Sequence, residues 1–254
     1  MADLSAAQIA FAAAAGMLGG AMNALAGGGT FATLPALIAL GLPANIANAT
    51  SNVALLPGST ASVWTFRDEI GPVGGLSPRR LIAITLASAI AGSVLLVLTP
   101  TRVFDVLIPW LLLFATLVLA FGRRAAAWLH ARVTIGMRTL IAAQTALSVY
   151  GGYFGGGLGL MTTAVYGLLA GIDPRGMFAQ RTLILAISGV AALIVFVATG
   201  LVDWASAVPM LLGAIVGGWV GARLGLLLSA NLVRVWTLIV SVATTIVFFW
   251  RAYG

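Results

Sequence analysis

Apolar residues fall in ten blocks along the chain, at about 8–26, 31–41, 45–65, 80–98, 104–121, 138–154, 158–171, 177–199, 204–227 and 232–250. Eight of these are long enough to cross most of a ~30 Å hydrocarbon core as helices rising 1.5 Å per residue. The blocks 31–41 and 158–171 are not, because they reach only about 17–21 Å. Each short block directly follows a glycine-rich break, Gly27-Gly28-Gly29 in one case and Gly155-Gly156-Gly157 in the other. Polar residues inside the blocks cluster twice, at the same distance beyond each break: Asn48, Thr50, Ser51 and Asn52, then Gln180, Arg181 and Thr182. The pattern predicts an all-α integral membrane protein of 8–10 membrane segments, with glycine-broken helices and short half-helices.

The ten blocks divide into two sets of five. Shifting the sequence by 130 residues lays Gly27 on Gly157, Gly29 on Gly159, Gly41 on Gly171 and Ala49 on Ala179. It also lays Ala83, Ala87 and Ala91 on the ridge Gly213, Gly217 and Gly221. This predicts transmembrane repeats at 1–121 and 138–254, joined by an Arg-rich cytoplasmic linker at 122–137. The ridge, with Gly225, suits close helix packing within the chain, and a homodimer is its alternative use.

Arginine counts choose the topology. With the linker in the cytoplasm and ten crossings, Arg67, Arg79, Arg80, Arg123, Arg124, Arg132, Arg138, Arg175, Arg223 and Arg234 lie inside, while Arg102 and Arg251 lie outside. Treating the short blocks as re-entrant moves Arg175, Arg223 and Arg234 outside and Arg251 inside, weakening the positive-inside bias. Five segments per half also makes the repeats inverted, a common basis for alternating access.

Composition agrees with the membrane class and narrows the chemistry. Of 254 residues 61% are hydrophobic and 7% charged, against roughly 25% charged in soluble domains. All thirteen basic residues are Arg, giving +7 against six acids. They sit mainly in short loops, where they orient the chain in the lipid bilayer, so no nucleic-acid partner is expected. The N-terminus has Asp3 and no positive cluster, which argues against a cleavable signal peptide. There is no cysteine, so neither disulfides nor thiolate metal sites are expected. Asp3, Asp68, Glu69, Asp105, Asp173 and Asp203 lie near segment ends or loops, and His130 lies in the linker, so no carboxylate relay crosses the membrane. No metal-ligand spacing, no nucleophile beside a base and no Lys-Ser/Thr phosphate-binding loop is present. The expectation is a non-enzyme without metal or cofactor. An anion channel, a membrane-embedded enzyme and an assembly subunit are the alternatives.

Arg181 is the most informative residue. A cation at this depth costs at least ~2.5–3.5 kcal/mol unless it faces a partner or a water-filled cavity. A bound anion is one such partner, since guanidinium suits oxyanions through paired donors. Snorkelling, or a tie to Asp173, is the structural alternative. Gln180, Thr182, Asn48, Thr50, Ser51 and Asn52 would add neutral donors, or else bond between helices. Gly28, Gly29, Gly156 and Gly157 permit unwound backbone, and the following half-helices would aim partial positive charge at the breaks. Asn23 and Tyr153 coincide under the shift beside the breaks, Asn23 as a cavity residue and Tyr153 more simply as packing.

Together, Gly27-Gly28-Gly29, Pro35-Ala-Leu, Gly41-Leu-Pro43 and Ala47-Asn-Ala-Thr50-Ser51-Asn52, with Gly155-Gly156-Gly157 through Ala179-Gln-Arg181-Thr182, resemble the TauE/SafE family of sulfite exporters. The resemblance covers essentially the whole chain. It implies a secondary transporter of the bacterial inner membrane moving a small anion such as sulfite, an organosulfonate or a carboxylate.

Overall fold

The computed structural model describes residues 4–130, 136–170 and 177–254. Asp3, Arg132, Asp173 and Arg175 lie outside the described residues, as does the middle of the expected linker. The described residues form ten α-helices and no strand: α1 (Ala6–Ala26), α2 (Thr30–Ala39), α3 (Ala44–Thr65), α4 (Pro78–Leu98), α5 (Thr101–His130), α6 (Met137–Tyr153), α7 (Leu158–Ala170), α8 (Phe178–Ala198), α9 (Trp204–Leu227) and α10 (Ala230–Tyr253). Every apolar block is thus a helix, and the two short blocks are the short helices α2 and α7. The segment expected as a linker begins inside α5, which continues to His130. Arg and Ala are strong helix formers, so the helix outlasts the apolar run that starts it.

Among the described residues, six helices are long and apolar enough to cross a membrane: α1, α4, α5, α8, α9 and α10. Their outward faces carry large apolar side chains such as Leu98, Trp110, Leu212, Ile239 and Ile246, all exposed. In water such a surface would aggregate; in lipid it is the expected solvent-facing surface. The chain is therefore an all-α integral membrane protein. The most polar helix, α3, lies inside the bundle, where Asn48, Thr50 and Ser51 are fully buried.

Hydrogen bonds near helix ends sort the turns into two ends of the bundle. At one end Thr101 Oγ1 donates to Asn45 Oδ1 (3.2 Å), and Asp203 N donates to Thr50 Oγ1 (3.0 Å). Tyr253 Oη also donates there to the Val106 carbonyl (3.2 Å). At the other end Gln180 Nε2 donates to the Glu69 carbonyl (3.4 Å) and Arg234 Nη2 to that of Ala120 (2.8 Å). Successive helices consequently alternate in direction from α1 to α10. Arg102 and Arg251 fall at the first end; Arg67, Arg79, Arg80, Arg138, Arg223 and Arg234 fall at the second.

Helix pairing crosses between the two halves of the sequence. α1 runs parallel to α9, with Gly16 on Met210, Gly20 on Ala214, Gly213 on Ala13 and Gly217 on Met17, so close that a Cβ at any of these glycines would strike a carbonyl. The glycine ridge of α9 is therefore covered by this chain's own α1. The same pairing recurs between α6 and α4, where Gly152 meets Ala89 and Gly92 meets Val149. Here the structure corrects one expectation. Ala83, Ala87 and Ala91 are exposed, and Thr85, Ala89, Gly92 and Ser93 form the contact face of α4. Gly92 rather than Ala91 occupies the place of Gly221, an offset of one residue, which rotates a helix face by about 100°.

Candidate functional site

Both breaks turn on left-handed glycines: Gly27 at φ 78°, Gly155 at φ 75° and Gly157 at φ 75°. α2 folds back along α1, with Gly29 and Thr33 packed on Gly19, and α7 follows α6 after the second break. The two breaks touch: a Cβ on Gly27 would lie 2.6 Å from Gly159 Cα.

A helix that ends inside a bundle leaves carbonyls without partners, and these must be satisfied by side chains. At the second break Asn48 Nδ2 donates to the Tyr153 carbonyl (3.1 Å), and Asn52 Nδ2 donates to that of Phe154 (3.1 Å) and to Asn48 O (2.9 Å). At the first break Arg181 Nη2 reaches the Ala24 carbonyl (3.5 Å). Ala24 and Phe154 are the same position under the 130-residue shift, so Arg181 stands where Asn52 stands in the other half. Arg181 is only 9% exposed, its guanidinium lies over the Phe178 ring at 4.5 Å, and its Nε has no partner.

Two adjoining cavities lie between these caps, sharing Asn23, Leu55, Ser59 and Leu185 in their walls. The larger, about 30 Å³, is also bounded by Thr30, Asn52, Gly155, Leu158 and Ser188. Thr30 and Leu158 are the first residues of α2 and α7, so two helix N-termini with their partial positive charge abut one cavity. Asn23 Nδ2 donates to Ser59 Oγ (3.2 Å), which leaves the Ser59 hydroxyl hydrogen free to turn toward the cavity. The smaller cavity is bounded by Thr182 and Ala24, the neighbour and the partner of Arg181. A volume of 30 Å³ admits a water or so, not an oxyanion. Admission of an oxyanion would require the hairpins to part.

The residues singled out in the sequence meet different fates. Asn23 and Asn52 line the larger cavity and Thr182 the smaller. Asn48 is a cap with one unpartnered oxygen, Oδ1. Thr50 accepts from the turn before α9, and the hydroxyls of Ser51 and Thr33 share a 2.6 Å bond that holds α2 to α3. Gln180 faces the turn at Glu69. Gly28 and Gly29 carry the first backbone bonds into α2, accepting from Phe31 (3.2 Å) and Ala32 (3.0 Å). The Gly156 carbonyl takes the Tyr150 hydroxyl (2.7 Å) and that of Gly157 accepts from Met161 (3.0 Å). Tyr153 packs edge-on against Phe104. Thr30, Ser59 and Ser188 are cavity residues that the sequence reading missed. Ser59 and Ser188 lie 129 residues apart, the same offset that relates Asn52 to Arg181 and Gly92 to Gly221, and that offset was the signal for them.

Comparison with known proteins agrees with this architecture. The family model "Sulfite exporter TauE/SafE" matches residues 12–248. The chain is 29% identical over 241 residues to the probable membrane transporter protein YfcA of Escherichia coli K12, covering 94% of this chain and 88% of that one. It is 28% identical over 249 residues to the probable membrane transporter protein ORF9 of a Sinorhizobium species, covering 97% and 94%. A probable membrane transporter protein of Haemophilus influenzae is 25% identical over 231 residues, covering 91% and 90%. No solved structure matches the chain. A family match across nearly the whole length, on a bundle with polar cavities between broken helices, makes this chain a multi-pass membrane transporter belonging to the TauE/SafE sulfite exporter family.

Proposed function

We propose that the protein is a secondary carrier moving a small anion, of the sulfite or organosulfonate class, across the bacterial cytoplasmic membrane by alternating access. One observation carries the anion reading: a buried arginine with an unpartnered Nε stands at the paired breaks, its neighbour Thr182 and its partner Ala24 lining the cavity that adjoins the larger one. The two halves are two inverted repeats, supported by the recurrence of the α1·α9 pairing as α6·α4 and by alternating helix directions. Rocking one hairpin against the other about the Gly27–Gly159 contact would open the cavities to each end in turn. With the negative-inside potential favouring anion exit by ~2.3 kcal/mol per charge per 100 mV, export needs no coupling ion.

Purified protein in liposomes should take up sulfite saturably, with methanesulfonate competing and acetate competing weakly. Uptake of acetate as fast as sulfite would overturn the sulfur-oxyanion assignment, and conductance far above carrier turnover would replace the carrier by a channel.

Topology has its own test. The sequence contains no cysteine, so each introduced thiol reports alone. Ser229→Cys should react with an impermeant maleimide only from the cytoplasm and Gly200→Cys only from outside. Labelling of Ser229→Cys from outside would restore the eight-crossing arrangement.

A further inference from the structure

We infer that the anion sits in the larger cavity, held by Ser188, Ser59, Thr30 and Asn23 without any charged side chain in contact, and that this makes the site selective for singly charged anions. The inference rests on the carrier reading above and specifies its binding chemistry. Ser188 is the independent observation: it lines the cavity, is 2% exposed, and its Oγ has no hydrogen-bond partner. A buried hydroxyl left unpaired is costly, and such groups are otherwise rare in folded proteins. Ser59 faces the same cavity with its hydrogen uncommitted, because its oxygen already accepts from Asn23. Thr30 adds a hydroxyl at the first turn of α2.

The charge balance sets the selectivity. Four helix ends meet at the breaks: the C-termini of α1 and α6 and the N-termini of α2 and α7. Their partial charges, about half a unit each, cancel in pairs. Arg181, bonded to the Ala24 carbonyl in the wall of the smaller, adjoining cavity, then leaves a surplus near one positive charge. A monoanion neutralises that surplus. A dianion carries an extra negative charge into a low-dielectric site and must shed a larger hydration shell.

The test is calorimetric titration of the detergent-purified, full-length protein with methanesulfonate, a fixed monoanion, and sulfate, a fixed dianion at neutral pH. Wild type should bind methanesulfonate at least ~10-fold more tightly than sulfate. Ser188→Ala should weaken methanesulfonate binding about fivefold, the usual worth of one neutral hydrogen bond. The same substitution should leave the melting temperature of the unliganded protein nearly unchanged, because the hydroxyl it removes bonds no other residue there. Ser206→Ala, which also deletes an unpartnered hydroxyl but lies outside both cavities, should leave affinity unaltered. Equal affinity for sulfate overturns the charge argument. Unchanged methanesulfonate affinity in Ser188→Ala, or a lowered melting temperature, overturns the role of Ser188. Failure of wild type to bind any sulfur oxyanion would instead strike the substrate class proposed above.

Discussion

Alanine at Gly27 is expected to destabilise the protein by about 2–5 kcal/mol and to abolish transport. Two separate costs combine. Gly27 sits at φ 78°, where a side chain costs roughly 1–2 kcal/mol. Its new Cβ would also lie 2.6 Å from Gly159 Cα, and crowding a packed interior typically adds 1–3 kcal/mol. The obstacle is backbone, so no rotamer change relieves it. Gly41 separates the two costs. It is also left-handed, at φ 93°, but nothing lies within 4 Å of its Cβ position. Gly41→Ala should therefore lose only the conformational part and keep transporting. The check is thermal unfolding of both variants in detergent, followed by uptake in liposomes. Equal melting temperatures would mean that the break-to-break contact yields easily.

That second result would also bear on transport. The Gly27–Gly159 contact joins a hairpin from each half, and the cavities lie beside it. A rigid contact makes it the pivot about which the hairpins rock, whereas a yielding one makes it the gate that parts.

Much of this arrangement was legible in the sequence, because bilayer thickness leaves little freedom. In so uncharged a chain a block of about 17 or more apolar residues reads as a spanning or buried helix, and a shorter one after a glycine-rich break as a half-helix or a re-entrant one. Both breaks, both short helices and all ten segments follow from that constraint. The cavity did not follow. A lone serine in an apolar helix, as at Ser188, most often bonds its own backbone or a neighbouring helix. Only the fold reveals that its hydroxyl has no partner. The gapless shift misled for a related reason. The breaks correspond at 130 residues, but the helices beyond them correspond at 129, so α4 presents Gly92 where Ala91 was expected. One residue is invisible in a low-identity comparison, yet it turns a helix by about 100°. A gapless shift of 130 also lays Ser51 on Arg181, whereas the residue that caps the other break as Arg181 does is Asn52.

That equivalence allows the role of Arg181 to be separated from its place in the fold. Arg181→Gln should fold with wild-type stability, because the glutamine amide can donate to the Ala24 carbonyl as the Asn52 amide does to that of Phe154. Transport should nevertheless fall by ~10-fold, because the surplus positive charge acts on the anion through space without a bond to it, an attraction of about 1–2 kcal/mol in a partly screened site. Arg181→Ala removes charge and cap together, leaving helix-end carbonyls buried without a donor. It should therefore lose stability as well as transport, by roughly 1–3 kcal/mol. Arg181→Lys keeps the charge but loses the planar stack on Phe178, and should transport at an intermediate rate. The measurements are melting temperature and initial rate of methanesulfonate uptake for the three variants. If Arg181→Gln transports at the wild-type rate, Arg181 is a helix cap alone and the anion is held by neutral donors and helix N-termini without its charge. If Arg181→Gln is as unstable as Arg181→Ala, the amide does not reach Ala24 and the likeness to Asn52 fails. A folded, stable Arg181→Gln protein with transport restored in part by lysine would show that the surplus positive charge at the paired breaks is what draws the anion in.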